Sequence, residues 1–233
     1  MAEIVNCIEV VLNEGLSPAE RVEALRRINQ LYRHDPQGEE VGYSKLPEAI
    51  RELLERLWKW EQRQRVSQSN CRWIPANSKG NGLCLADSEY VMPSTGTYNN
   101  VRGMTMGELH NENHIEGIYY NSYQPDFSTC AYDSIELATN SFTRYQADMS
   151  ADESGIEDSI HEQAIAAFAK KWGKSVQEVR DFLSDIHTKN YNKRRLYVLH
   201  ECVDIKTVMI VPREIHAFYK HSGGISLYKS LFR

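Results

Sequence analysis

RRLYVLHECVDIKTVMIVPREIHAFYKHSGG, residues 194–224, carries the strongest structural pattern in the chain. RRLYVLHE alternates in the manner of a half-buried strand, and KTVMIVP is a second, β-branched run with the same period. The intervening CVDI is short enough for a hairpin turn. Pro212 has no amide hydrogen to lose at a helix start, so REIHAFYKH is expected to form a short helix, terminated by Ser222-Gly223-Gly224. The order strand, strand, helix sets His200 and Glu201 at the end of the first strand. It sets His216 and His221 on the helix that follows.

Upstream of this unit the patterns change from helix to short strand and back. SVQEVRDFLSDIH reads as a helix opened by Ser175, with Glu178 three residues on, and ADESGIEDSIHEQAIAAFAKKWG as another ending at Gly173. SIELA has period-two character, GIYYNSYQPDFS is extended, and MTMGELHNE is a short helix. Residues 68–100 are rich in Gly, Asn, Ser and Pro and are expected to be irregular, with short strands at GLCLA and EYVMP. Residues 1–66 read as helices. In SPAERVEALRRINQLYRH, Ser17 caps, Pro18 opens, and Glu20 completes a capping box, while Val22, Leu25, Ile28 and Leu31 recur at helical spacing. A second helix runs from about Pro47 to Arg65, with Ile50, Leu53, Leu54, Leu57 and Trp58 on one face. The fold class expected is therefore α+β: a helical N-terminal region, 1–68, and a mixed domain, 69–233, with SQSN at 67–70 as the boundary.

The chain has 233 residues, 41% hydrophobic and 25% charged, ordinary for a globular protein. No stretch approaches the length of a membrane-spanning helix, and MAEIVNCIEVVLNEG lacks the basic start and cleavage site of a secretory signal. Export would then need other machinery or a larger parent polypeptide. Five cysteines, with no CxxC or Cys/His finger spacing, indicate reduced or buried thiols, although Cys71 and Cys84 could bridge in an oxidising compartment. The net charge is −5. It is unevenly spread: from His187 to Arg233 nine Lys or Arg stand against three acids, +6, which leaves −11 for residues 1–186. A local basic field of this kind attracts phosphate backbones, or else pairs with the acidic remainder of the chain.

Hydrolysis of a phosphodiester needs a base to activate water, a cation to stabilise charge on the phosphate, and fixed geometry. His200, Glu201, His216 and His221 are the residue types for that work. Three imidazoles lean toward a transition metal, with magnesium, manganese, nickel and zinc all open. Each residue alone has an ordinary reading: His221 favours a helix C-terminus by its charge, and Glu201 can be an exposed edge residue. HNENH, His110 to His114, has the i,i+4 histidines of a zinc-protease helix, but its Glu stands at the wrong position to activate water. It reads better as support for the fold. His161 and His187 read as surface residues.

YVLHECVDIKTVMIVPREIHAFYKHSGG resembles the HNH/endonuclease VII superfamily of ββα-metal nucleases, especially the WHH and LHH branches found at the C-termini of bacterial polymorphic toxins. The shared pattern falls on Leu199, His200, Glu201, Asp204, Thr207, Val211, Pro212, His216, His221, Gly223 and Gly224. A second motif of the family is matched by Gly117, Ile118 and Tyr119 followed by Pro125, Asp126, Phe127 and Ser128. The likeness spans roughly residues 101–225. It departs at Cys202, where these toxins often carry His, and at Leu199, which stands for the frequent Trp. The resemblance implies a mixed domain ending in a ββα-metal nuclease core. It implies a divalent ion bound by His200, His216 and His221, with His200, Glu201, His216 and His221 as the catalytic set. Two assignments are open: His200 as general base with Glu201 orienting or ligating, which is favoured, or His200 as ligand with Glu201 or a helix residue acting on water. Arg194, Arg195, Lys206 and Arg213 are the phosphate contacts expected.

The function expected is a metal-dependent endonuclease acting on DNA more readily than RNA, as an antibacterial toxin effector. Such an effector is delivered into a target cell's cytoplasm and neutralised by a cognate immunity protein. The alternatives are a non-catalytic nucleic-acid or protein binding module on the same scaffold, and a metal hydrolase of small molecules or peptides, which leaves the basic segment unexplained.

Overall fold

Residues 2–34, 43–63, 71–93, 101, 103–137, 160–183, 197–219 and 221–232 are described by a computed structural model. The boundary at 67–70, His187, Arg194, Arg195 and the first residues of the segment 151–173 lie outside them. Among the described residues, helix and strand mix as an α+β chain with two small antiparallel sheets.

Three helices come first: α1 (Ala2–Leu12), α2 (Pro18–His34) and α3 (Glu48–Gln62). The capping box that opens α2 is present. The Glu20 carboxylate accepts from Ser17 N and Ser17 Oγ, and Ser17 Oγ accepts from Glu20 N. Ile50, Leu54, Leu57 and Trp60 form the buried stripe of α3.

β1 (Cys71–Ile74), β2 (Gly82–Ala86), β3 (Ile118–Asn121) and β4 (Gln124–Asp126) form a four-stranded meander in chain order. GLCLA is the strand expected. EYVMP is not: Val91 makes only an isolated bridge to Thr105, because Tyr90 and Met92 spend their backbone groups on the loop before α4 (Met106–Glu112). The β3–β4 turn holds Ser122 and Tyr123 at positive φ, +48° and +64°.

The second sheet has the order β5-β7-β6, from β5 (Asp133–Glu136), β6 (Tyr197–Glu201) and β7 (Thr207–Pro212). Its β6–β7 hairpin turns through Cys202–Lys206, where Asp204 Oδ1 accepts from the amides of Lys206 and Thr207 and Asp204 Oδ2 from the Thr207 hydroxyl. α5 (Ile160–Trp172) and α6 (Val176–Leu183) precede this hairpin, and the Ser175–Glu178 capping box opens α6.

Pro212 caps α7 (Arg213–Phe218), which is shorter than REIHAFYKH. The helix expected to end at Ser222-Gly223-Gly224 has already stopped, and Gly224 begins a further helix, α8 (Gly224–Phe232), that the sequence pattern did not announce. The glycines answer a close approach: a Cβ on Gly224 would lie 2.1 Å from the Cys202 carbonyl oxygen, and one on Gly223 3.0 Å from that of Glu201.

The period-two alternation of β7 explains how the layers meet. Val208 and Ile210 join a hydrophobic cluster with α1, α2, α3, α5, α6 and α8, whereas Val211 and Met209 join another with α4, α7 and the meander. The three-stranded sheet is thus covered on both faces. The N-terminal helices share the first cluster with the hairpin, and Trp60 Nε1 donates to Ser226 Oγ of α8 at 3.1 Å.

Candidate metal centre

Register places the histidines. His200 pairs with Met209 across β6–β7, so it faces the meander side of the sheet, toward α7. His216 stands on α7, and His221 follows in the segment that the two glycines press against the end of β6. His200 Nδ1 lies 3.3 Å from His216 Nε2 and 3.1 Å from His221 Nε2. Tetrahedral bonds of roughly 2.0–2.1 Å to a metal hold nitrogen ligands about 3.3 Å apart. Among the described residues these three histidines form the group that can hold a metal ion.

The proton positions strengthen that reading. His221 Nδ1–H donates to the Tyr219 carbonyl at 2.9 Å, which leaves Nε2 as its lone-pair nitrogen. His200 Nδ1 has room for one hydrogen bond in its ring plane, yet two imidazole nitrogens face it. A cation between them would take a lone pair from each of the three nitrogens. Burial, then the neighbouring imidazoles of His221 and His216, holds the His200 pKa well below its ordinary value. Burial also lowers that of His221, against the opposing Tyr219 carbonyl and Glu201. Neutral imidazole is the ligand form.

Phe127, fully buried, is the floor of the cluster. Its ring centroid lies 4.9 Å from His200, 5.5 Å from His216 and 5.4 Å from His221. Its ring packs against all three imidazoles. Phe127 belonged to the upstream motif but had no expected role at the site.

Glu201 goes elsewhere. Adjacent strand residues point to opposite faces, and Glu201 turns toward α5, where its Oε1 accepts from His161 Nε2 at 2.6 Å. His161 is therefore not the surface residue its helix position suggested; both side chains are mostly covered, at 27% and 17% exposure. Burial would raise the Glu201 pKa, but the hydrogen bond and charge of His161, with smaller help from His216, hold it below the usual carboxylate range. His200 meets the cluster through Nδ1.

A cavity of about 440 Å³ opens on this arrangement, lined by Glu201, His216, His221, Gly223 and, from the end of α3, Arg63. Arg63 was not expected at the site, since nothing in the helical pattern of residues 1–66 distinguishes it from any exposed arginine. Of the expected phosphate contacts, Arg213 opens α7 half-buried, and Lys206 at the hairpin turn pairs with Glu136 at 3.5 Å; neither lines this cavity.

The remaining motifs are structural. His110 is buried, accepts from the Tyr219 hydroxyl at Nε2 over 3.0 Å, and stacks on that ring, while His114 is exposed in the following turn at φ +54°. No disulfide joins any of the five cysteines; Cys71 and Cys84 are in side-chain contact across β1–β2. Burial raises the thiol pKa of Cys84, Cys202 and Cys130, the last to about 12, although for Cys84 the contact with Cys71 is the larger cause. No helix among the described residues is long and apolar enough to cross a membrane. No protein-family model, curated protein or solved structure matches the chain.

Proposed function

We propose that this chain is a metal-dependent endonuclease, with a ββα-metal core formed by the β6–β7 hairpin and α7, acting as a toxin effector in a target bacterium's cytoplasm. The convergence of His200, His216 and His221 on one point carries the reading. The residues fit a divalent ion. Their all-nitrogen donor set favours zinc or nickel over magnesium and manganese, which prefer oxygen. Such an ion supplies Lewis acidity at the phosphate and lowers the pKa of water.

The chain's own groups do the rest. Glu201 Oε2 lies beside Gly223 at the cavity wall, and Oε1 is taken by His161, so Oε2 is the atom positioned to accept a proton from water. His161 fixes the carboxylate's orientation. Phe127 keeps water from the buried side of the imidazoles. Arg63, across the cavity, binds a phosphate oxygen. This assignment makes Glu201 the base and His200 a ligand. DNA is the substrate proposed. A cell that makes such an enzyme needs a cognate immunity protein that binds it.

The test is incubation of the purified protein with plasmid DNA and with total RNA, in EDTA and in each of magnesium, manganese, nickel and zinc. Cleavage that requires metal and disappears in His216→Ala is the expected result. Binding without cleavage under every metal would overturn the enzyme and leave a nucleic-acid-binding module.

A further inference from the structure

α3 and α8 run antiparallel along one seam. Arg63 of α3 shares a cavity wall with Gly223 just before α8, Trp60 Nε1 donates to Ser226 Oγ, and Arg56 donates to the Leu231 carbonyl at the far end. The cavity at the histidine cluster opens at one end of this seam. A second cavity, of about 320 Å³, opens at the other, where Leu53 and Arg56 of α3 meet Tyr228, Leu231 and Phe232 of α8. Arg21 of α2 adds to its wall, and Glu14 is the acid in its lining.

Both guanidinium groups of the second cavity are anchored on backbone. Arg56 Nη1 donates to the Leu231 carbonyl at 3.3 Å. Arg21 Nε donates to the Val11 carbonyl at 2.8 Å, and its guanidinium carbon lies 4.8 Å from the centroid of the Phe232 ring. A guanidinium carries several N–H donors in a rigid fork, so one anchor fixes its orientation and leaves the other donors for a ligand. Two cations against the carboxylate of Glu14 leave the lining positive. Forks held in this way suit phosphate, which accepts two parallel N–H bonds from one arginine.

Helix geometry joins the two cavities. Arg63 keeps helical backbone angles at the end of α3 and stands two turns beyond Arg56, so both project from one side of the helix, about 20° apart. Along the axis they are about 10 Å apart, at roughly 1.5 Å per residue. That is about three steps of a DNA strand, at roughly 3.4 Å each. Lys59 lies between them on the same side, exposed, with the Glu55 carboxylate 3.9 Å away. We propose that this seam is a phosphate track: the strand cut at the three-histidine cluster continues along α3, and Arg56 with Arg21 binds a phosphate about three nucleotides from the scissile bond. The inference rests on the nuclease reading and deepens it. The N-terminal helices hold the sugar-phosphate backbone, and they do so without regard to base sequence.

The experiment follows the anisotropy of a labelled DNA duplex of about 20 base pairs, in EDTA so that nothing is cut, from about 50 to 200 mM salt. The logarithm of the wild-type binding constant falls linearly with that of the salt concentration. In Arg56→Gln the slope is shallower by about one, and in the double variant with Arg21→Gln by about two. At the lowest salt the single variant binds on the order of tenfold more weakly. Arg56→Lys keeps the charge at this exposed position and recovers most of the slope, which separates loss of a phosphate contact from damage to the seam. Arg72→Gln, exposed on β1 and outside both cavities, binds as the wild type does. No binding of the duplex, a slope that Arg56→Gln leaves unaltered, or an equal change in Arg72→Gln would overturn the track. A separate arm gives the wild-type protein bis(p-nitrophenyl) phosphate, which is too short to reach the second cavity, with zinc, nickel or manganese. Absence of metal-dependent hydrolysis there would instead overturn the nuclease reading beneath the track.

Discussion

Two parts of this molecule carry paired histidines, and they have opposite fates. On α4 and its C-terminal turn, His110 and His114 have the spacing of a metal-binding helix, yet one ring is buried against Tyr219 and the other is exposed in a left-handed turn. On α7 and the segment after it, His216 and His221 have no helical spacing to recommend them. They nonetheless meet the ring of His200 from a different element. Spacing along one helix aligns side chains only while the helix lasts. α4 ends at Glu112, so His114 never shares a face with His110. Convergence in the other region comes from three separate backbone constraints: strand register, the Pro212 cap, and glycines pressed on the end of β6. The two regions are also connected. His110 holds the Tyr219 hydroxyl, and the Tyr219 carbonyl orients His221.

The contrast breaks most directly by removing one histidine from each region. His216→Ala is expected to abolish metal-dependent plasmid cleavage, a loss beyond the roughly 10–100-fold typical of an outer partner. His114→Ala should leave the rate unchanged. Equal losses would return α4 to candidacy as the metal site. His161→Ala tests a fourth imidazole, brought to Glu201 by tertiary structure. Cleavage should fall about 10–100-fold with metal affinity, read by calorimetry, nearly intact, and His161→Gln should recover part of the rate because its amide can still donate to Glu201. A parallel loss of metal affinity would make His161 a ligand. His110→Ala sharpens the structural role of α4. Chemical denaturation should show destabilisation of about 1–3 kcal/mol from the unpaired Tyr219 hydroxyl, with cleavage only modestly slower.

The smallest effect is one of pH. His200 and His221 have folded pKa values below those of the unfolded chain. Below about pH 6.5 the unfolded imidazoles therefore bind protons that the folded ones refuse. Stability of the protein in EDTA should be full above that pH and decline as the pH falls through it toward the folded values. Added zinc should oppose the decline by binding the neutral rings. A thermal midpoint in EDTA that is flat from pH 7.5 to 5.5 would contradict the burial of these rings.

Local patterns made the hairpin, α2, α3, α5, α6 and the α+β class legible from sequence, because each rests on short-range rules: period, capping box, proline and glycine. The three histidines were legible as a set for the same reason, since a hairpin and a following helix lie within a short span of chain. Three features were not. α8 follows glycines that read as a stop signal, and only the close approach to Cys202 and Glu201 reveals their purpose. The ion pair of His161 with Glu201 joins residues forty positions apart, and no local rule connects them. Arg63 reaches its cavity because α3 packs on α8, which depends on the whole core.

That last packing has a consequence for handling and engineering the protein. The arginine lining the cavity at the cluster lies on the chain before residue 64, and every histidine of the cluster lies after residue 199. Apolar side chains on both pieces complete a common cluster, tied further by Arg56 donating to the Leu231 carbonyl at 3.3 Å. Expressed as two polypeptides divided between Arg63 and Cys71, neither has the complete set of groups. Mixed, they present complementary apolar surfaces that fit one another. Under the proposed activity, neither fragment alone would cut nucleic acid, and cleavage on mixing would report that the two had reunited.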